Sequence, residues 1–295
     1  MLIHGFTRYG GPEVAGPLEV PDAELPAGAS PAVLVELLAT TVNPADIKVR
    51  EGLRAGKVQV DFPMAMGREA AGRVFAASPG TGFEVGDPVV GGTFAGTGSY
   101  AEKVLLDAAQ TTLIPDGVPA EQAACVPVAL GTAWDAVHEL RDAGLPDGGT
   151  VVVLGAGGGV GHAAVQLARH LGFTVVGVAS ESKQDLVTDL GATFVESGTD
   201  WVERLGDADA IVDTVGPPVL DDFTSRFPEA PVRSTAGGPA VTRRRSGPVF
   251  AEILELIAAG HVKAHISEVH RLSDAATAVA TVEDGHAVGK VVIVT

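Results

Sequence analysis

Seven residues, Gly155-Ala156-Gly157-Gly158-Gly159-Val160-Gly161, stand directly after the apolar run Val151–Leu154 and before an amphipathic helical pattern. Glycines in that setting do anion chemistry: backbone N–H groups at a helix start face outward, and no Cβ holds a phosphate away. Aligned on its last glycine the loop reads Ala156-x-Gly158-x-x-Gly161, the dinucleotide fingerprint with Ala in its first place. Gly158 lets the backbone approach a pyrophosphate and Gly161 lets the helix pack on the strand. Ala156, Gly158, Gly159, Val160 and Gly161 are therefore candidate cofactor-binding residues. Roughly 20 residues on, NAD-selective sites carry an acidic residue for the ribose 2′-hydroxyl. This chain has Ala179-Ser180 there, with Lys183 following. Without a carboxylate a 2′-phosphate is not repelled, and Ser180 and Lys183 can hydrogen-bond and neutralise it. Glu181 and Asp185 pull the other way, and Lys183 reads equally well as a solvated helix residue. NADPH is the expected cofactor.

The elements that position this loop are legible from periodicity. Val151–Leu154 is short enough for a buried parallel strand, and Val160, Ala164, Leu167, Ala168 and Leu171 recur at helical spacing before the stop at Gly172. A strand over Phe173–Ala179, a helix through Leu186 to Leu190, a strand near Thr193–Val195, a short helix near Trp201–Leu205 and a strand over Ala210–Val215 follow. Strand and helix in alternation imply parallel βαβ units and a doubly wound sheet. The first hundred residues have another texture, with short strands over Val33–Thr40, Gly72–Ala77, Asp87–Gly91 and Tyr100–Leu105 between Gly and Pro clusters. Ala251–Ala259 reads as an amphipathic helix, and Lys290–Val294 as a closing strand.

Composition narrows the partners. Twenty Lys+Arg against 37 Asp+Glu in 295 residues leave a net charge of −17, which repels phosphate backbones and anionic lipid surfaces. Nucleic acid and membranes are not expected as partners, and the run Arg243-Arg244-Arg245 reads as a solvated strand end or loop, with a local anion contact as the alternative. The single Cys125 excludes an intrachain disulfide framework and a Cys-cluster zinc site, and reads as a small buried hydrophobe. No apolar stretch approaches the ~18 residues of a membrane span, and the start of the chain lacks a leader pattern, so a cytoplasmic protein is expected.

Further motifs stand in a recognisable order: Tyr9-Gly10-Gly11-Pro12-Glu13-Val14, Val42-Asn43-Pro44-Ala45-Asp46-Ile47 with Arg50-Glu51-Gly52, Gly67-Arg68-Glu69-Ala70-Ala71-Gly72, and Gly86-Asp87-Pro88-Val89. Gly98-Ser99-Tyr100-Ala101-Glu102, the Gly155–Gly161 loop, Val212-Asp213-Thr214-Val215-Gly216 and Gly289-Lys290-Val291-Val292 complete the series. Over nearly its whole length the chain resembles the medium-chain dehydrogenase/reductase superfamily, in its zinc-free NADPH:quinone oxidoreductase, zeta-crystallin-like branch.

That resemblance implies an α/β protein: a GroES-like β domain over residues 1–118 and 260–295, and a Rossmann doubly wound parallel-sheet domain over residues 119–259, with the active site in the cleft between them. Zinc-dependent relatives place a Cys and a His where this chain has Asn43 and Arg68, which cannot replace a thiolate and an imidazole, so no metal is expected. By the same analogy Asn43 lies beside nicotinamide and substrate, and Thr132 contacts the carboxamide. Val215-Gly216 and Ala236-Gly237 line the nicotinamide ribose, and Lys290 reaches the cofactor from the returning tail. Asn43 also reads as a turn residue before Pro44, and Thr132 as a buried helix residue. The chain departs from the pattern twice: Leu53 follows Gly52 where many relatives have Tyr, and the stretch between Gly238 and Ala240 is short by a strand or loop. The expected activity is zinc-independent hydride transfer from NADPH to a quinone or conjugated enone, in a homodimer. The alternatives are an enoyl reductase on a biosynthetic intermediate and a non-catalytic NADPH-binding protein.

Overall fold

Short apolar runs that alternate with turns become strands, and in the computed structural model they gather into three sheets; the structure describes residues 1–28, 30–285 and 287–295. In chain order the elements are β1 (Leu2–Phe6), β2 (Ala15–Glu19), β3 (Ala32–Thr41), α1 (Pro44–Arg50), β4 (Met64–Ala65), β5 (Glu69–Ala77), β6 (Pro88–Thr93), β7 (Lys103–Leu113), α2 (Ala120–Ala124) and α3 (Gly131–Asp142). They continue with β8 (Thr150–Leu154), α4 (Gly161–His170), β9 (Thr174–Ala179), α5 (Gln184–Asp189), β10 (Thr193–Glu196), β11 (Ala210–Asp213), α6 (Val219–Arg226) and β12 (Val232–Ser234). The last four are α7 (Gly247–Ala258), β13 (Ile266–Arg271), α8 (Ala275–Glu283) and β14 (Lys290–Val294). Among the described residues no helix is long and apolar enough to cross a membrane.

The chain divides into two compact units, one of Met1–Val128, Arg245–Ala258 and Ile266–Thr295, the other of Ala129–Arg244 and Ala259–His265. In the first unit β3 pairs with both β5 and β7, so the antiparallel series β3-β5-β6-β7 closes on itself. Closure leaves no free edge within the ring. Val33, Val35, Leu37, Ala70, Val74, Val89, Val104 and Leu106 form one fully buried cluster here. Each buried Val or Leu of this kind contributes about 1.5–3 kcal/mol. The returning β14 joins antiparallel to β3 and brings Lys290 to Thr41–Asn43.

The second unit is a five-stranded parallel sheet in the order β10-β9-β8-β11-β12, with strand order reversing between β8 and β11. Its core includes Val152, Leu154, Val178, Ile211, Phe223 and the buried ring of Trp201. Residues 259–265 rejoin this unit through Gln166 of α4, whose amide exchanges hydrogen bonds of 2.9 Å each with the Lys263 backbone.

The units differ in their bounds from the expected domains, since residues 119–128 and 245–258 pack with the first unit and residues 260–265 with the second. The periodicity of α7 marks a buried face without naming the sheet that buries it. At the start of α7 a Cβ on Gly247 would lie 2.5 Å from the Thr111 carbonyl oxygen of β7. Beyond β12 the second sheet gains no sixth strand among the described residues. Instead Ser234 donates its N–H to Pro239 O at 2.7 Å and accepts from Val241 N at 3.2 Å, while Arg233 Nη1 caps the Val232 carbonyl at 2.8 Å. The segment then runs along α3, where Glu139 accepts from Thr242 N at 2.9 Å and Asp135 from Arg244 N at 2.8 Å. Arg243-Arg244-Arg245, expected as a solvated loop, thus begins in a strap tied to carboxylates.

Candidate functional site

In the second unit the candidate residues collect at the carboxyl ends of the parallel strands, where open α/β sheets bind ligands. The loop from Gly155 to Val160 leaves β8, and Gly155 and Ala156 both donate to Val178 O of β9, at 3.0 and 3.1 Å. Gly161 opens α4, and a Cβ there would lie 2.1 Å from the Gly155 carbonyl oxygen, so only glycine permits this approach of helix to loop. A Cβ on Gly158 would meet, among the described residues, a single atom within 4 Å, the Gly155 carbonyl oxygen at 3.3 Å, which leaves that direction otherwise open. Ala156 is buried, its methyl facing Gly177 of β9.

At the end of β9 a cavity of about 240 Å³ is lined by Gly155, Gly157, Ala179, Ser180, Lys183 and Ser197. It contains no carboxylate side chain. The Lys183 stem packs over Gly157, and burial lowers the pKa of its ammonium. Ser197, which the sequence reading passed over, joins because its N–H donates to Ala179 O at 2.8 Å. Asp213, at the end of β11, fixes the opposite side. Its Oδ1 accepts from Val215 N and Gly216 N at 2.9 Å each, and its Oδ2 from Ser234 Oγ at 2.5 Å. Ser234 Oγ in turn accepts from Ala236 N at 3.0 Å. One buried carboxylate therefore brings Val215, Gly216 and Ala236 together, with Gly237 adjoining. Thr132 sits buried in the first turn of α3.

In the first unit Asn43 caps α1, with Pro44 in its first turn and Asp46 Oδ2 accepting from the Asn43 N–H at 2.9 Å. The Asn43 side chain is buried and committed at both ends: Nδ2 donates to Glu69 Oε1 at 2.8 Å, and Oδ1 accepts from Lys290 Nζ at 2.8 Å. Lys290 also donates to Val42 O at 3.0 Å and lies 3.9 Å from Glu69 Oε1. The remaining Glu69 oxygen accepts from Val128 N at 2.7 Å, and Thr41 Oγ1 donates to Oε1. Glu69 heads β5 directly before the buried small residues Ala70 and Ala71, and a charged residue in that place is the signal the sequence offers for its role.

A cavity of about 250 Å³ adjoins this cluster, with Asp46, Lys57, Met66, Arg68, Phe94 and Arg245 in its wall. Gly67 sets the direction of Arg68: its φ is +85°, and a Cβ would lie 2.2 Å from Ser99 Oγ and 2.4 Å from the Tyr100 ring. The Arg68 side chain is 14% exposed, with Nε 3.8 Å from Asp46 Oδ1. Its Nη1 is buried and finds no hydrogen-bond partner among the described residues. Asp46 is pushed up to about 6, because burial outweighs the guanidinium of Arg68 and the bond from Asn43. Tyr100 is fully buried and donates to Asp46 Oδ2 at 3.1 Å.

Two family models match, an alcohol dehydrogenase GroES-like domain over residues 29–116 and a zinc-binding dehydrogenase over residues 185–293. A chloroplast envelope quinone oxidoreductase homolog of Arabidopsis thaliana is 31% identical over 327 residues, across 99% of this chain and 98% of its own. The chain belongs to the medium-chain dehydrogenase/reductase superfamily, in its quinone oxidoreductase branch. The first unit accordingly contains the GroES-like domain and the second the Rossmann-like parallel sheet. Among solved structures, a mycobacterial protein complexed with NADPH matches all of both chains at a TM-score of 0.82 and 26% identity. An acryloyl-coenzyme A reductase of Sulfurisphaera tokodaii is 29% identical over 193 residues, 56% of this chain and 57% of that one. Of the first three curated relatives, two of them polyketide synthases, the chain spans only 3%, 57% and 4% of the length. This member of the quinone oxidoreductase branch carries the oxidoreductase scaffold over its full described length.

Proposed function

We propose that this chain is an NADPH-dependent reductase that delivers hydride to a small, electron-poor conjugated acceptor, a quinone or an enone, without a metal. The observation that carries this reading is the carboxylate-free cavity at the end of β9, with Ser180, Lys183 and Ser197 around it and an open glycine loop beside it. Ser180 and Lys183 would take the 2′-phosphate, the backbone from Ala156 to Gly161 the pyrophosphate, and the Asp213-ordered loops at Val215-Gly216 and Ala236-Gly237 the ribose. Thr132 is assigned to the carboxamide. When bound, NADPH supplies the hydride and its two electrons. Its complex with the mycobacterial relative supports the choice.

Zinc does not fit the cluster at Asn43. Asn43 and Arg68 stand where thiolate and imidazole ligands would be needed, and the Lys290 ammonium already occupies Asn43 Oδ1 and flanks Glu69. Among the described residues no group of three or more His, Cys, Asp or Glu side chains gathers as a metal site. A conjugated acceptor needs no Lewis acid, since its accumulating charge is delocalised and hydrogen bonds need only assist. In this reading Lys290 orients Asn43 through its amide oxygen and does not touch the cofactor, a change from the role the resemblance implied. The reason is that its ammonium is buried among Val42 O, Asn43 and Glu69.

The second reading is reduction of an enoyl thioester, favoured by the acryloyl-coenzyme A reductase relative. Steady-state NADPH oxidation with a panel of quinones, enones and an enoyl-coenzyme A separates the two. Turnover confined to the thioester replaces the first reading with the second, and NADPH binding without turnover of any acceptor leaves a non-catalytic binding protein.

A further inference from the structure

The cavity beside Asp46 has a charge that the chain as a whole does not predict. Three cationic side chains, Lys57, Arg68 and Arg245, line it against one carboxylate, Asp46, in a protein of net charge −17. Arg68 is the most telling of them. Its guanidinium is mostly withdrawn from water, its approach to Asp46 is longer than a hydrogen bond, and Nη1 has no acceptor among the described residues. Asp46 does not supply one: its Oδ1 lies 3.8 Å from Arg68 Nε, beyond hydrogen-bond reach, while its Oδ2 is held by Asn43 N and Tyr100 Oη. A buried charged donor left unpaired is costly, and native proteins keep such groups where a ligand completes them. Arg245 adds an independent sign. Among the described residues it is the one non-glycine with positive φ, at +37°, a strained backbone that persists where the surroundings impose it and that concentrates at ligand sites.

We infer that this cavity binds a carboxylate on the acceptor, with Arg68 Nη1 as its anchoring donor, so that the enzyme selects small conjugated carbonyl compounds that carry an acidic group. A guanidinium recognises a carboxylate by paired, charge-assisted hydrogen bonds, which a neutral carbonyl or ester does not match. The apolar share of the wall, with Met66 and Phe94, suits the flat unsaturated body. A volume of about 250 Å³ suits a short chain or a single ring. The inference rests on the reading of the chain as a reductase of conjugated acceptors. It adds the acidic group as the determinant of specificity.

The test compares trans-acetylacrylate with its methyl ester, two acceptors of the same conjugated core that differ in one charge. Calorimetric titration of the full chain is expected to show the acid binding more than about tenfold tighter than the ester, with the gap shrinking as salt is added. In Arg68→Gln the acid should fall to within about threefold of the ester, and in Arg68→Lys the preference should survive in part. Equal affinities for acid and ester in the wild-type protein overturn the inference, whatever the variants do, so a poorly folded variant does not decide it. A preference that Arg68→Gln leaves intact in a protein with an unchanged melting curve overturns it as well. Turnover with benzoquinone keeps this test apart from the broader reading. Benzoquinone reduction together with equal binding of acid and ester sinks the inference alone. Tight, Arg68-dependent binding of the acid without any NADPH oxidation supports the anion site and sinks the reductase reading.

Discussion

Replacing Asp46 by Asn should change how the stability of the first unit depends on pH. The Asp46 carboxyl is raised from 3.8 to about 6, and its side chain is 1% exposed. Burial is the leading cause, partly offset by Arg68 and by the Asn43 N–H. A carboxyl raised on folding binds its proton more tightly in the native state than in the unfolded chain. Its contribution is therefore fully present below about pH 3.8 and lost as pH rises through about 6. Over the whole span the difference corresponds to about 3 kcal/mol, at roughly 1.4 kcal/mol per pH unit. Working above the sequence pI of about 4.7 keeps the protein charged and restricts the comparison to the upper part of that span. Between about pH 7.5 and about pH 5.3 the accessible part is roughly 1 kcal/mol. Asn is nearly isosteric with Asp and does not titrate, so the wild-type minus Asp46→Asn difference cancels the other titrating groups. Urea unfolding at the two pH values should show that difference rising by about 1 kcal/mol in favour of the wild type at the lower pH. Circular dichroism should follow the transition, because it reports strand and helix in the first unit while Trp134 and Trp201 both lie in the second. A flat difference, or one moving the other way, refutes the assignment of burial as the dominant influence on this carboxyl.

The remaining expectations concern the cofactor and the cluster at Asn43. NADPH should bind more than about tenfold tighter than NADH, and Lys183→Ala should shrink that ratio; equal affinities in calorimetry would mean that the phosphate site is elsewhere. Gly161→Val drives a side chain into the Gly155 carbonyl, so it should destabilise the second unit by about 1–3 kcal/mol and abolish NADPH binding; wild-type behaviour in both assays would contradict the close approach described here. Asn43→Ala should lower kcat/KM for a quinone by about ten- to a hundredfold, equivalent to about 1.4–2.7 kcal/mol, through lost orientation of the cluster it ties to Glu69 and Lys290. Metal analysis of protein prepared without chelators should find no stoichiometric zinc, and activity should survive chelation.

Local signals carried most of what was legible in the sequence. The Gly155–Gly161 loop sits between β8 and α4 as its flanking periodicities require, and Ala179-Ser180, without a carboxylate at the end of β9, reappear in the lining of a cavity. The cap of α1 was also written locally, in Asn43, Pro44 and Asp46, although no helix was expected there. Long-range partners were not legible. Asp213 gathers two loops that are 20 residues apart in the chain, Glu69 reaches Val128 and Asn43, and Lys290 meets Asn43 from the far end of the sequence. No periodicity encodes which carboxylate accepts from which backbone. The placement of α7 failed for the same reason, since an apolar helical face is indifferent to which sheet buries it.

The strap after β12 bears on assembly. A strand at the margin of a sheet invites a second copy to extend it by backbone hydrogen bonding. Here that margin is already sealed: the outward N–H and C=O of Ser234 are taken by Pro239 and Val241, and the Val232 carbonyl by the guanidinium of Arg233. Two copies of this chain therefore cannot merge their parallel sheets across β12 into one continuous sheet without first peeling the strap from α3. The strap thus acts as a stopper at this one margin, and removing its hold on Glu139 and Asp135 is what would reopen it.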